Sequence, residues 1–168
     1  MDLSSLISSF SKSAFNRWRL NFILHRVIPF NRPHRLKVIQ IDEEKCKVWL
    51  PYRKSNLNHL KSLHACAQTT VAEYASGLWL LNRLGFKEYR IIMKKISAEY
   101  HYQAKTSAVA EFGMSNEELE SRLLKPLKSE GKAYIHCQIE LKGENGDHFS
   151  TVTTEWQVKP WARVKTKI

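Results

Sequence analysis

Glu73 is the only acid in residues 65–81, ACAQTTVAEYASGLWLL, a run otherwise made of small, apolar and neutral polar side chains. A carboxyl taken out of water has a raised pKa and can work as a general base near neutral pH. The same carboxyl at a sheet edge, hydrogen-bonded to backbone, would be structural only. Nine residues earlier, His64 precedes Ala65, Cys66 and Ala67. If a helix begins there, the first backbone N–H groups are unpaired and lie at the positive end of its dipole, a natural site for an oxyanion. Small side chains at that point would let a carbonyl approach. His64 can equally serve as an N-terminal cap.

Nine residues on an ideal helix turn through about 180°. His64 and Glu73 therefore cannot share one face of one helix. If both act in one reaction, the amides and the acid come from two copies of the chain, and a two-fold dimer would carry two such sites.

The element that must position them is a helix expected over residues 62–82. Leu63, Ala67, Thr70, Val71, Tyr74, Leu78 and Leu81 recur along one face, and Ala65, Ala72, Ala75 and Trp79 make the other sides small or apolar as well. A helix apolar nearly all round is a buried one. Gly85 is its expected C-terminal cap. Before it, residues 36–41 and 46–50 flank the turn-forming Asp42-Glu43-Glu44-Lys45 and read as a hairpin closed by Pro51. After it, residues 89–102, 105–112, 133–142 and a last strand through Val158 have strand character. Ile135, Cys137, Ile139 and Leu141 alternate with polar residues, and Asn145-Gly146 is a tight-hairpin signal. Ser115 and Glu118 form a capping box for a short helix that Pro126 should end. One long helix and about six mostly antiparallel strands make an α+β layout in which the sheet wraps the helix.

The N-terminal part reads as a basic amphipathic helix, a segment of residues 1–33 appended to a domain of residues 34–168. Leu3, Leu6, Ile7, Phe10, Ala14, Trp18 and Phe22 form its apolar stripe, and Pro29 and Pro33 mark its end. Rich in Ser and Arg and poor in acid, it resembles a transit peptide. Packing on the domain or on a partner subunit is the plainer expectation, with a weak membrane-surface contact as the other.

Hydrophobic residues make up 43% of the 168 and charged residues 26%, as in a globular chain. Three cysteines, Cys46, Cys66 and Cys137, show no CxxC pair, which points to free thiols in a reducing, cytoplasmic setting. His59 and His64 lack metal-ligand spacing, and no metal is expected. Cys66 at a helix start is a weaker nucleophile candidate with no partner beyond His64. The net charge of +11 is unevenly spread. Residues 1–41 hold seven Lys/Arg against one acid, residues 42–158 hold 16 against 15, and Lys159, Arg163, Lys165 and Lys167 make the tail basic. A nearly neutral body argues against nucleic-acid binding.

Asn58, then His64 six residues on, then Glu73 nine further, together with this strand order, resemble the hotdog-fold acyl-CoA thioesterases. The likeness is closest to the phenylacetate-pathway type and an uncharacterised branch related to it, and covers about residues 36–158. The family motif places two glycines after the histidine, where this chain has Ala65 and Cys66. Some members carry a hydroxyl residue one turn after the acid, where this chain has Gly77 beside Ser76.

The resemblance implies a hotdog fold, a homodimer or tetramer, and an acyl-CoA substrate with no separate cofactor. It implies that the Ala65 amide, with Cys66, polarises the thioester carbonyl. Glu73 of the facing subunit would be base or nucleophile, Asn58 and His64 would orient carbonyl and loop, and Gly77 would border the substrate. A non-catalytic hotdog module that binds an acyl group or a partner in the same groove is the alternative.

Overall fold

A computed structural model describes residues 3–164. Six strands form one antiparallel sheet: β1 (Lys37–Ile41), β2 (Lys45–Leu50), β3 (Tyr89–Tyr100), β4 (Ala108–Gly113), β5 (Ala133–Gly143) and β6 (His148–Pro160). Their order across the sheet is β1-β2-β4-β5-β6-β3. The sheet curls around α3 (Ala65–Leu84), which contacts β2, β3, β4, β5 and β6. This is the hotdog arrangement that the resemblance implied.

The strands follow their alternation. Along β5 every second residue from Ala133 to Leu141 is buried and the intervening ones are exposed. On β6 the inward side chains are Val152, Thr154, Trp156 and Val158. Gly146 turns between these strands at φ 87. α3 is covered on most sides because the sheet bends round it, and Ala67, Ala72, Ala75 and Gly77 are all buried. The small residues permit close approach: a Cβ on Gly77 would meet the Trp156 ring at 3.1 Å. Trp156 in turn donates its Nε1–H to the Ser76 hydroxyl (3.2 Å).

Three expectations need correction. The central helix starts at Ala65, three residues later than expected, because His64 caps it in an extended conformation. Pro126 does not end the helix after the Ser115–Glu118 capping box. The chain runs through α4 (Asn116–Leu119), one π turn (Glu120–Leu124) and α5 (Lys125–Glu130), and stops at Gly131 with φ 71. Proline lacks an N–H and crowds the carbonyl one turn back, and the wider π turn just before it accommodates both effects.

The third correction concerns the N-terminal stripe, which does not fall on one continuous helix. α1 (Leu3–Ser8) and α2 (Ala14–Val27) are separated by a 3-10 turn at Phe10–Lys12 and an extended Ser13. Leu6, Ile7 and Phe10 are buried, as are Leu20 and Leu24 of α2, whereas Trp18 and Phe22 are exposed. The break at Ser13 rotates the phase of α2, so the apolar stripe splits between core and solvent.

α2 lies along β1. The Asn21 carboxamide accepts from the Val38 N–H (2.7 Å) and donates to the Val38 carbonyl (3.0 Å). His25 donates Nε2–H to the Leu36 carbonyl (2.8 Å). These side chains occupy backbone groups that an adjoining strand would otherwise take, so one sheet edge is closed. Among the described residues the other edge, β3, has no strand beside it. Ile92, Ile96 and Tyr100 of β3 are exposed.

Candidate active site

The loop between β2 and α3 sets the start of the helix, and Asn56 holds that loop. Asn56 is buried; its side-chain amide donates to the carbonyls of His34 and Pro51, both at 2.9 Å. Its Oδ1 accepts from His34 Nδ1 (3.0 Å), and its backbone carbonyl accepts from the His64 N–H (2.7 Å). Asn56 thus fixes the residue that caps α3. Asn58 shapes the next turn: its Oδ1 accepts from the N–H groups of Leu60 (2.9 Å) and Ser62 (3.1 Å). That oxygen is engaged within the loop, so Asn58 acts on the loop's shape. Lys61, at φ 54, completes the turn, and Leu63 N–H donates to Ala104 (2.8 Å) to join it to the far loop.

His64 is exposed, and its Nδ1 accepts from the Cys66 N–H at 3.0 Å. The imidazole is therefore the N-terminal cap of α3. The bond uses one of the two amides expected at the oxyanion site. The Ala65 N–H has no hydrogen-bond partner among the described residues. One free amide at the positive end of a 20-residue helix is left to receive an oxyanion. Tyr100, at the end of β3, donates its hydroxyl to the Ala65 carbonyl (3.1 Å) and so stands beside that amide.

Glu73 is half-buried on α3, and burial raises its pKa above the ordinary 4.5. Among the described residues no side chain or backbone group pairs with its carboxylate. A desolvated carboxyl with no fixed partner keeps its lone pairs available for a proton or for an electrophile. Gly77, one turn further, is buried against Trp156. It allows the helix and β6 to pack closely, and it lies below the exposed surface of α3.

One chain does not bring the two halves together. His64 and Glu73 lie about 180° apart around α3 and about 13 Å apart along it. A concavity of about 1290 Å³ lies elsewhere, mostly on the sheet face away from α3. Its charges already compensate one another: Lys45 and Lys47 meet Glu111 at 3.2 and 2.7 Å, and Lys142 meets Glu140 at 2.8 Å. A site shared between two subunits would show no closed cavity in a single one.

The other cysteines are remote from these groups. Cys46 and Cys137 are buried in the core, and burial pushes the Cys137 thiol up to about 12. Cys66 is exposed, but the ring nitrogen of His64 beside it faces the backbone amide. Among the described residues no three His, Cys, Asp or Glu side chains are grouped to hold a metal ion.

Asn56 and Tyr100 are the participants that sequence reasoning missed. Asn56 and Asn58 look alike in the polar loop KSNLNHL, and only the long-range contacts to His34 and Pro51 distinguish them. Tyr100 looks like any strand aromatic until β3 is seen to end beside the start of α3. Because three hydrogen bonds converge on the buried Asn56 side chain, Asn56→Ala should lower stability by about 2–4 kcal/mol. Chemical denaturation would measure it; a change under about 0.5 kcal/mol, within the range of ordinary surface substitutions, would contradict this role.

Solved structures share this architecture. A Pseudomonas aeruginosa protein of unknown function, described as a probable thioesterase, superposes with a TM-score of 0.76 at 21% identity over 83% of this chain and 93% of its own. A thioesterase from Haemophilus influenzae gives 0.66 at 11% identity, over 85% and 92%. A protein of unknown function from Chlorobaculum tepidum gives 0.69 at 12% identity, over 94% and 93%. At these identities the likeness establishes the hotdog fold. No curated protein matches the chain in sequence. Residues 16–158, from the helix that clasps β1 to the inward Val158 of β6, match the family described as a domain of unknown function (DUF4442), and the chain belongs to it.

Proposed function

We propose that the protein is an acyl-CoA thioester hydrolase working as a homodimer, with two equivalent sites across the subunit interface. The observation that carries this reading is the half-buried, unpaired Glu73 on a helix whose first amide, that of Ala65, is free. Antiparallel pairing of two β3 edges about a two-fold axis would set the two α3 helices side by side in opposite directions. The half-turn offset between His64 and Glu73 then aims the acid of one chain at the amide of the other.

In each site the Ala65 N–H would polarise the thioester carbonyl and stabilise the oxyanion as charge develops. Glu73 of the partner subunit would take a proton from the attacking water, or attack the carbonyl carbon itself. On the base route the proton held by Glu73 passes to sulfur as the C–S bond breaks, and CoA leaves as the thiol. On the nucleophilic route the departing thiolate takes a proton from water, and a second water hydrolyses the acyl–Glu73 anhydride left behind. His64 positions this amide by capping the helix, and Asn58 shapes the preceding turn. The CoA thioester enters as substrate, and no further cofactor has a role. Similarity to solved proteins named as thioesterases supports the reading.

A second reading rests on the same helix start. Cys66 N–H is held by His64, and Ala65 and Cys66 bring Cβ atoms to the approach path. A binding module for an acyl group or a partner would tolerate both features. A panel of acyl-CoA esters assayed for released thiol separates the two: turnover supports the hydrolase, whereas retained ligand without turnover selects the module.

The dimer has its own test. Ile92 and Ile96 are 45% and 40% exposed on β3, whose outer edge is free among the described residues. Ile92→Lys with Ile96→Lys would put four like charges across the two-fold and should shift the protein from dimer to monomer by sedimentation, with loss of turnover. An unchanged dimer would place the interface elsewhere.

A further inference from the structure

α2 is attached to the sheet by one side and carries a bare aromatic ladder on the other. Leu20 and Leu24 face the core. At about 100° per residue, Phe22 points about 180° away from the direction midway between them. Phe15, Trp18 and Phe22 stack in sequence, with ring centroids 5.9 and 5.4 Å apart. They are 64%, 60% and 49% exposed, and Phe30, just past the helix, is 72% exposed. Single exposed apolar residues are ordinary, but three stacked rings on one helix face mark a contact surface. The ladder is held in place by the Asn21 and His25 bonds to β1, and Arg32 Nε–H donates to the His25 carbonyl (2.8 Å).

The surrounding charge selects the occupant. Residues 3–41 contain no acid, and Lys12, Arg17, Arg19, Arg26, Arg32, Arg35 and Lys37 all lie in that segment. Arg19 and Arg26 project within about 60° of Phe22 around α2. A second copy seated on this face would bring two basic surfaces together. A nucleic acid would suit the arginines, but Phe15, Phe22 and Phe30 have no polar atom with which to read a base. An anionic lipid surface suits both parts: apolar rings enter the boundary of the acyl chains, and guanidinium groups meet phosphates. No described helix is long and apolar enough to cross a membrane, so contact would be in the plane of the surface.

We propose that α2 is an interfacial docking element for anionic membranes, with Phe15, Trp18 and Phe22 inserted and Arg19 and Arg26 at the headgroups. The proposal is independent of the hydrolase reading, since none of these residues belongs to the candidate site.

The test is co-sedimentation of the full chain with vesicles of phosphatidylcholine alone and with added phosphatidylserine, at low and high salt. The expected result is partitioning onto the anionic vesicles that falls with salt. Phe15→Ser, Trp18→Ser and Phe22→Ser together should weaken it by at least about tenfold, with helical content and Tm unchanged because the three rings are exposed. Should that triple variant misfold, Phe22→Ser alone and Arg19→Gln with Arg26→Gln carry the same test, each with a smaller loss. Equal partitioning of variant and wild type, or no preference for anionic vesicles, would overturn the proposal. So would dissociation of a lipid-free oligomer on removing the rings, which would assign the face to a second copy of the chain.

Discussion

On the proposed reading, Glu73→Gln is expected to lower acyl-CoA hydrolysis by at least about 10²-fold while the oligomeric state is unchanged. The amide has nearly the volume of the carboxyl but can neither take the proton of water nor attack a carbonyl. The variant should also be the more stable protein at neutral and higher pH. Burial raises the pKa of Glu73 above 4.5. Between 4.5 and that raised value, the folded chain holds a proton that the unfolded chain releases. Stability therefore falls as pH rises through this window, and the full cost remains above it. Gln carries no such cost. Melting curves should show a Tm gain for Glu73→Gln at about pH 8 that vanishes near pH 4. In the wild type, turnover should decline as pH drops through the same raised pKa. Wild-type turnover in Glu73→Gln would remove the acid from the mechanism. Loss of turnover without any pH-dependent Tm gain would mean that Glu73 is ionised at little cost in the folded protein.

The second large effect concerns the free amide. Ala65 is the first residue of α3, where proline is well tolerated because the missing N–H has no helical partner. A residue before proline must be extended, and His64 already is, at φ −61 and ψ 139. Ala65→Pro thus deletes one hydrogen-bond donor while leaving the helix in place. If that donor holds the oxyanion, turnover should fall about 10²- to 10³-fold with little change in Tm.

The two variants can then be mixed. In a shared site the amide and the acid come from different chains. A Glu73→Gln chain paired with an Ala65→Pro chain has one doubly defective site and one intact site. Equal mixing and free exchange make about half the dimers mixed, so activity should recover to about one quarter of wild type. A site contained within one chain would give no recovery. An unaffected Ala65→Pro would move the oxyanion contact to another donor.

How far the sequence reached differs from element to element. The strict alternation from Ala133 to Leu141 predicts β5 because a half-buried strand requires that period. The burial of α3 follows from its apolar and small residues on every side. Pro126 misled because its effect depends on whether the preceding turn can widen, which neighbouring packing decides. The N-terminal stripe misled for a similar reason: the period was correct along each helix, but the break at Ser13 changed which face met the core. At the site, the offset of His64 and Glu73 was legible from helical geometry. That the Cys66 amide is taken by His64, leaving Ala65 free, was not, because a cap depends on a rotamer and a loop path. Asn56 was hidden because its partners, His34 and Pro51, are brought to it by the packing of separate segments.

The order of strands and helix, the burial of α3 and the lone acid within it are properties of local pattern, and the sequence by itself determined them through the periods of 2 and 3.6 residues. Which edge of the sheet is closed by Asn21, which amide is left free, and which aromatic face is left bare were decided only by the tertiary structure. Each depends on where distant segments meet, and residue types alone do not specify that.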